Sequence, residues 1–185
     1  MFWTTLLKTS AQTAAAAAAG TAATARGVDS TWYADLRTPA LQPPPEVFPV
    51  VWTALYADLA VTSAAVLTEL ERRTCPGRHW HRDRSGVIRR PRPGDTPSAA
   101  VRRRRGYRTA LTVNLALNAG WSWVFFGKQD TALATVVAAA LTASSADLAR
   151  RAGQARPLLG AALLPYAGWC GFATVLSGRI HRLNA

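Results

Sequence analysis

The sequence predicts an all-α, integral membrane bundle of five transmembrane helices, and three observations carry that prediction. Long stretches are almost free of charge and run to about 18–20 apolar residues, the length that crosses a bilayer. The charge is gathered elsewhere: thirteen of the 22 Lys and Arg fall within residues 72–108. Finally, residues 30–56, "STWYADLRTPALQPPPEVFPVVWTALY", crowd five prolines and five aromatics in front of an apolar run. Prolines at 39, 43, 44 and 45 forbid a continuous helix. Aromatics are favoured at a membrane interface. The segment therefore reads as a stiff loop at a membrane surface feeding a membrane helix.

The first helix is expected over residues 5–25, around "AAAAAAGTAATA". Lys8 and the small residues after it also fit a signal peptide, but the core of such a peptide is usually richer in Leu, so a retained helix is expected. The second spans 47–70, the third 109–126, the fourth 131–149 and the fifth 158–178. Between the third and fourth, Gly127 provides a stop, and Asp130 or Thr131 can cap the next start. Pro157 suits the beginning of the fifth helix. The chain reads as a single domain over residues 1–185, without internal repeats.

Five crossings put the N-terminus, the second loop and the fourth loop on one side. That side holds 17 Lys and Arg against five on the other, which places the N-terminus in the cytoplasm and the proline-aromatic loop outside. The formal charge of +12 is mostly the property of the loop at 71–108, whose Pro- and Arg-rich composition predicts disorder. It does not mark a nucleic-acid partner, since Trp80 and Tyr107 are too far apart to build a base-stacking platform. Its plainer reading is a topology determinant that clings to anionic lipid. Cys75 and Cys170 give no disulfide framework, and His79 and His81 near Cys75 do not make a metal-site spacing.

Three helices carry aromatic faces. Phe48, Trp52 and Tyr56 recur every four residues on the second. Asn114, Asn118, Trp121 and Phe125 share an arc of the third, and Pro165, Trp169, Phe172, Ala173 and Leu176 share one on the fifth. Such faces often pack helix against helix, and Asn often bonds between helices. Beneath a proline-aromatic cover they also suit a flat conjugated ligand with polar edges. Asp58 lies mid-helix about 120° from the aromatic face, where a carboxylate is costly and therefore a functional candidate. No nucleophile elbow, phosphate loop or paired-carboxylate arrangement is present, so the ligand would supply any chemistry.

At these residues the chain resembles the TspO/MBR family, the tryptophan-rich sensory proteins related to the mitochondrial translocator protein (peripheral-type benzodiazepine receptor). "WYADLRTPALQPPPEVFPVVWTALY" is similar to W-Y-x-x-L-x-K-P-x-W-x-P-P-x-x-x-F-x-x-x-W-x-x-L-Y, and "LALNAGWSWVFFG" to L-x-L-N-x-x-W-x-x-x-F-F-G. "LLPYAGWCGFATVLSGRIHRLN" resembles L-L-P-Y-x-x-W-x-x-F-A-x-x-L-N. The resemblance covers nearly everything except 71–108, which is an insertion where the family usually has a short turn. It implies a five-helix bundle, commonly a homodimer, that binds porphyrins and in some members cholesterol or benzodiazepine-type ligands, with no resident cofactor.

Carried over, the implied pocket contains Trp52, Tyr56, Asn118, Trp121, Trp169 and Ala173, with Phe48 on the same face. Trp32, Pro43 and Pro44 belong to the covering loop. Four positions depart from the pattern: Thr38 replaces the lid Lys, Leu41 replaces the second lid Trp, and Ser177 and Gly178 replace an Asn and an aromatic. No Tyr remains there to complete a cholesterol motif, which argues against that ligand. The implied function is sensing, transport or sequestration of porphyrin or haem intermediates. One alternative is light- and oxygen-dependent porphyrin breakdown, with Trp52 and Trp169 as the reactive pair. Another is a membrane scaffold that recruits partners through the basic loop. Ala116 and Gly120 have the spacing of a helix–helix dimer contact.

Overall fold

The computed structural model describes residues 1–74 and 97–185, and every regular element among them is helical. The long helices are α1 (Phe2–Val28), α3 (Val47–Thr74), α4 (Pro97–Ser122), α5 (Thr131–Ala155) and α7 (Leu164–Asn184). Two short helices join them, α2 (Thr31–Asp35) and α6 (Pro157–Ala162), and a π-helical turn, Trp123–Gly127, continues α4. Val47–Thr74, Thr131–Ala155 and Pro157–Asn184 are long and apolar enough to cross a membrane, the last taking α6 and α7 together. The bundle's outer faces are apolar too, with Val61, Val113, Val136, Leu158 and Val175 exposed.

In the bundle α1 packs on α3 and α4, α4 packs on α3 and α5, and α5 packs on α6 and α7. α3 and α7 close the ring but approach one another over only a short stretch. α1 is held by small residues: Thr9, Thr13, Gly20, Ala23 and Gly27 are buried at spacings of three, four and seven, which keep them on one face. A Cβ on Gly27 would lie 2.5 Å from Phe126 Cβ, so only glycine fits there. Thr9 Oγ1 donates to the Ala60 carbonyl at 2.9 Å, and Trp123 Nε1 to the Ala19 carbonyl at 3.0 Å.

Three expectations are corrected. The loop predicted over 71–108 is helical at both ends: residues 71–74 complete α3, and 97–108 open α4. Arg is a good helix former. The buried Tyr107, bonded to Ser63 Oγ at 3.1 Å, and an Arg104–Glu71 pair at 3.3 Å anchor the arginine-rich turns. The remaining part, with Cys75, His79, Trp80 and His81, lies outside the described residues. The fifth helix is two pieces, because Pro165 lacks an N–H and so interrupts the backbone ladder; the chain turns at Leu163. The third helix does not stay α-helical to 126. Its last turn widens, and the Lys128 N–H reaches the Trp123 carbonyl five residues back at 3.0 Å.

Other local readings hold. Gly127 ends the π turn, and Asp130 caps α5 by accepting from the Leu133 N–H at 2.8 Å. Thr131 is not the cap; its hydroxyl meets His181 Nδ1 at 3.0 Å. Gln129 takes the left-handed backbone conformation that the tight hairpin needs, at φ 55°. Pro157 opens α6 in the first turn.

Candidate functional site

Where α3 and α7 stand apart, aromatic rings fill the space. Trp52 lies 5.5 Å from Tyr56 on its own helix, and it meets Tyr166 and Trp169 of α7 edge-on, each at 6.5 Å between centroids. Phe48 reaches Trp169 at 6.0 Å, and Trp169 leans on Phe172 at 5.2 Å. Ala173 is half-buried one turn beyond Trp169. The rings of Phe48, Trp52, Tyr56 and Trp169, separated by up to 121 positions in the chain, therefore come together.

A line of hydrogen bonds runs beneath them. Tyr56 Oη donates to Asn118 Oδ1, and Asn118 Nδ2 to Tyr166 Oη at 3.4 Å. Tyr166 Oη donates in turn to Asn114 Oδ1 at 2.7 Å. Asn114 Nδ2 reaches Ser145 Oγ at 3.0 Å and Ser144 Oγ at 3.3 Å. Ser145 then donates to the Leu141 carbonyl at 2.8 Å, with Cys170 Sγ 3.5 Å away. Four helices are joined by this line, and each member uses its neighbour's complementary atom. Sequence reasoning singled out Asn114 and Asn118 but missed Tyr166 and Ser145. The signal was available in two carboxamides four residues apart, which need partners on other helices when buried.

The cover is built from the predicted loop. Ser30 Oγ accepts from the Tyr33 N–H at 3.2 Å and starts α2. α2 carries Trp32 to within 5.6 Å of Phe125 and Tyr33 to within 5.6 Å of Phe126. Leu36, Leu41 and Phe48 join the same cluster, so Leu41 contributes packing where the family pattern has an indole. Pro43 is half-buried and Pro44 exposed. A clasp fastens the loop to the end of α7: the Arg37 N–H donates to Asn184 Oδ1 at 3.0 Å, and Asn184 Nδ2 to the Arg37 carbonyl at 2.9 Å. Trp121 belongs to this upper layer and not to the Trp52 cluster. It stacks on Phe125 at 5.3 Å and 18°.

Trp121 and Trp169 share one unusual property. Their indole N–H groups are buried and have no hydrogen-bond partner among the described residues. A buried unpaired donor costs about 1–3 kcal/mol. Two such donors among flat rings, one beside Phe125 and one beside Trp52, suit an aromatic ligand with acceptors on its edge. Asp58 lies away from this cluster. One carboxylate oxygen accepts from Thr62 Oγ1 at 3.0 Å, and the other is buried without a partner among the described residues. Two hollows open elsewhere. One of about 470 Å³ lies along Ala146, Pro157, Gly160 and Leu164, and one of about 180 Å³ lies at the basic end of the bundle.

Comparison with known proteins bears on the same residues. The sequence profile of the TspO/MBR family matches residues 10–183. The chain is similar to the translocator protein of Homo sapiens, 29% identical over 153 residues, covering 83% of this chain and 75% of the human one. It is also similar to the tryptophan-rich protein TspO of Chlorobaculum tepidum, 29% identical over 160 residues, covering 84% and 80%.

Proposed function

The chain belongs to the TspO/MBR family, and on that premise we propose that it is a five-span membrane protein that binds a tetrapyrrole and senses, carries or sequesters porphyrin or haem intermediates. The observation that carries the reading is the unpaired indole N–H of Trp169 beside the rings of Trp52 and Phe48, together with that of Trp121 in the layer under the cover. A macrocycle offers π-faces for stacking and edge acceptors for the two donors. The rings already touch one another, so the ligand is admitted as they part. Trp32, Pro43 and Pro44 form the cover under which it lies, and Asn118, held by Tyr56 and Tyr166, fixes the floor on which a polar edge rests.

The five-span reading adds α1 and the charge-free part of α4 to the three strongly apolar helices. α1, with 27 residues, is about 40 Å long and so exceeds a hydrocarbon core of about 30 Å. The lysine and arginine distribution puts the N-terminus in the cytoplasm. Gly120 has nothing against it on the flank of α4, and Ala116 beside it is exposed, which leaves room for the second copy of a homodimer.

The test is a dark titration of the detergent-solubilised protein with protoporphyrin IX, read by tryptophan quenching and porphyrin absorbance in parallel. Saturable binding at micromolar concentration or tighter, lost in Trp52→Ala/Trp169→Ala, is expected. Equal binding by both proteins, or none by either, overturns the pocket. The edge-on contact of Trp52 and Trp169 favours a second reading, oxygen-dependent breakdown of bound porphyrin in light. Illumination of the same samples should then bleach the porphyrin only with oxygen present and both indoles intact.

A further inference from the structure

The hollow at the basic end lies between the beginning of α1 and the adjoining ends of α3 and α4. Lys8, Arg104 and Arg108 line it, and Glu71 is the single acidic residue in its wall. Glu71 engages Arg104 through one guanidinium nitrogen at 3.3 Å. That leaves Arg104 Nε buried and unpaired among the described residues. Lys8 and Arg108 make no ion pair or side-chain hydrogen bond with the described residues, so two uncompensated positive charges face a common space whose wall also holds Arg104.

We propose that this hollow is a binding site for a phosphate-type anion, carried by a lipid headgroup or free in solution. Arginine forks match phosphoryl oxygens, and a lysine adds a third donor as a point charge. The volume, about 180 Å³, lies below the range of about 300–1,000 Å³ typical of drug-sized ligands and suits a small headgroup. The position also fits. Leu67 forms part of the wall, and the hollow sits where the apolar part of α3 gives way to Glu69, Glu71, Arg72 and Arg73. Anionic headgroups collect at that depth beside basic residues. Glu71 holds Arg104 in place and at the same time weakens the anion's hold. The site is separate from the aromatic one, at the opposite end of the bundle, and stands whether or not a tetrapyrrole binds.

The test uses the full chain in neutral detergent, with short-chain phosphatidylglycerol and inorganic phosphate as separate probes and native mass spectrometry as the readout. Lys8→Ala/Arg108→Ala should weaken phosphatidylglycerol binding about tenfold or more. Lys128→Ala/Arg182→Ala, which removes the same charge at the other end, should leave it unchanged. Glu71→Gln should tighten binding several-fold, a gain that a misfolded variant cannot imitate. If phosphate binds with the same dependence on Lys8 and Arg108, the free anion is an occupant; if only the lipid does, the headgroup is. Equal losses in the two double variants, or no gain in Glu71→Gln, overturn the site.

Discussion

Two layers of this bundle lie next to each other and treat polar atoms in opposite ways. In the lower layer Tyr56, Asn118, Tyr166, Asn114 and Ser145 pass hydrogen bonds along a continuous line. In the aromatic packing next to it Trp121, under the cover, and Trp169, beside Trp52, leave their indole N–H groups unpaired though buried. The same apolar surroundings raise the stakes in both places, because an unmade hydrogen bond is costlier there than in water. Satisfaction marks the line as structure, a fastening between helices. Its absence a turn away leaves the indoles open to the acceptors of the proposed ligand.

The widest test of that contrast is Asn114→Ala. It strands the hydroxyl of Tyr166 and removes the donor to Ser144 and Ser145. A loss of about 2–3 kcal/mol is expected, seen as a fall in the thermal midpoint in detergent. A midpoint within experimental error of the parent would show that the line does not fasten the helices. Next in size is Trp169→Phe, which keeps a ring and deletes one unpaired donor. Protoporphyrin affinity should fall about tenfold, the worth of one hydrogen bond near 1.4 kcal/mol. Stability should move by less than about 1 kcal/mol, because lost packing is offset by removal of an unsatisfied group. A large stability loss with unchanged affinity would exchange the roles assigned to the two layers.

Smaller effects sharpen the picture. Tyr56→Phe cuts the line at its end, where Asn118 still donates to Tyr166. It should cost less than about 1 kcal/mol, and a cost equal to that of Asn114→Ala would mean that position along the line is irrelevant. Asn184→Ala opens the exposed clasp on Arg37. Stability should hardly change, by about 0.5 kcal/mol, while porphyrin dissociation in stopped flow speeds up several-fold. Unchanged dissociation would separate the clasp from the cover's motion.

Much of this architecture could be read in the sequence because periodicity and caps are local. The aromatic faces of Phe48, Trp52 and Tyr56 and of Trp169 and Phe172 follow from helical spacing, and Asp130 and Pro157 announce their helix starts. The features that escaped were long-range or used one residue more than regular geometry allows. The Arg37–Asn184 clasp spans 147 positions, and no local pattern reports it. The line through Tyr166 needs the packing of α4 against α5 and α7 before its members can be paired. The arginines at 102–105 looked like loop composition, yet Tyr107 and Glu71 supply the tertiary contacts that make them helix. In α1, weakly apolar Ala, Thr and Gly hid a close-packing surface, because smallness and not hydrophobicity lets the helices approach.

The π turn at Trp123–Gly127 makes the cover's alignment depend on chain length as well as side-chain identity. Deleting Val124 would take out the extra residue and let the segment close into ordinary α-helix with the downstream alignment largely kept. Relaxing to α-helix at unchanged length would instead rotate the downstream residues by about 100° relative to the bundle. Phe125 and Phe126 would swing away from Trp32 and Tyr33, and the hairpin leading to α5 would be carried round with them. Asn114 and Asn118 lie upstream of the turn and would keep their places. Losing the wide turn without losing a residue would thus unseat the lid while sparing the fastening beneath it, and a matching deletion would set it back.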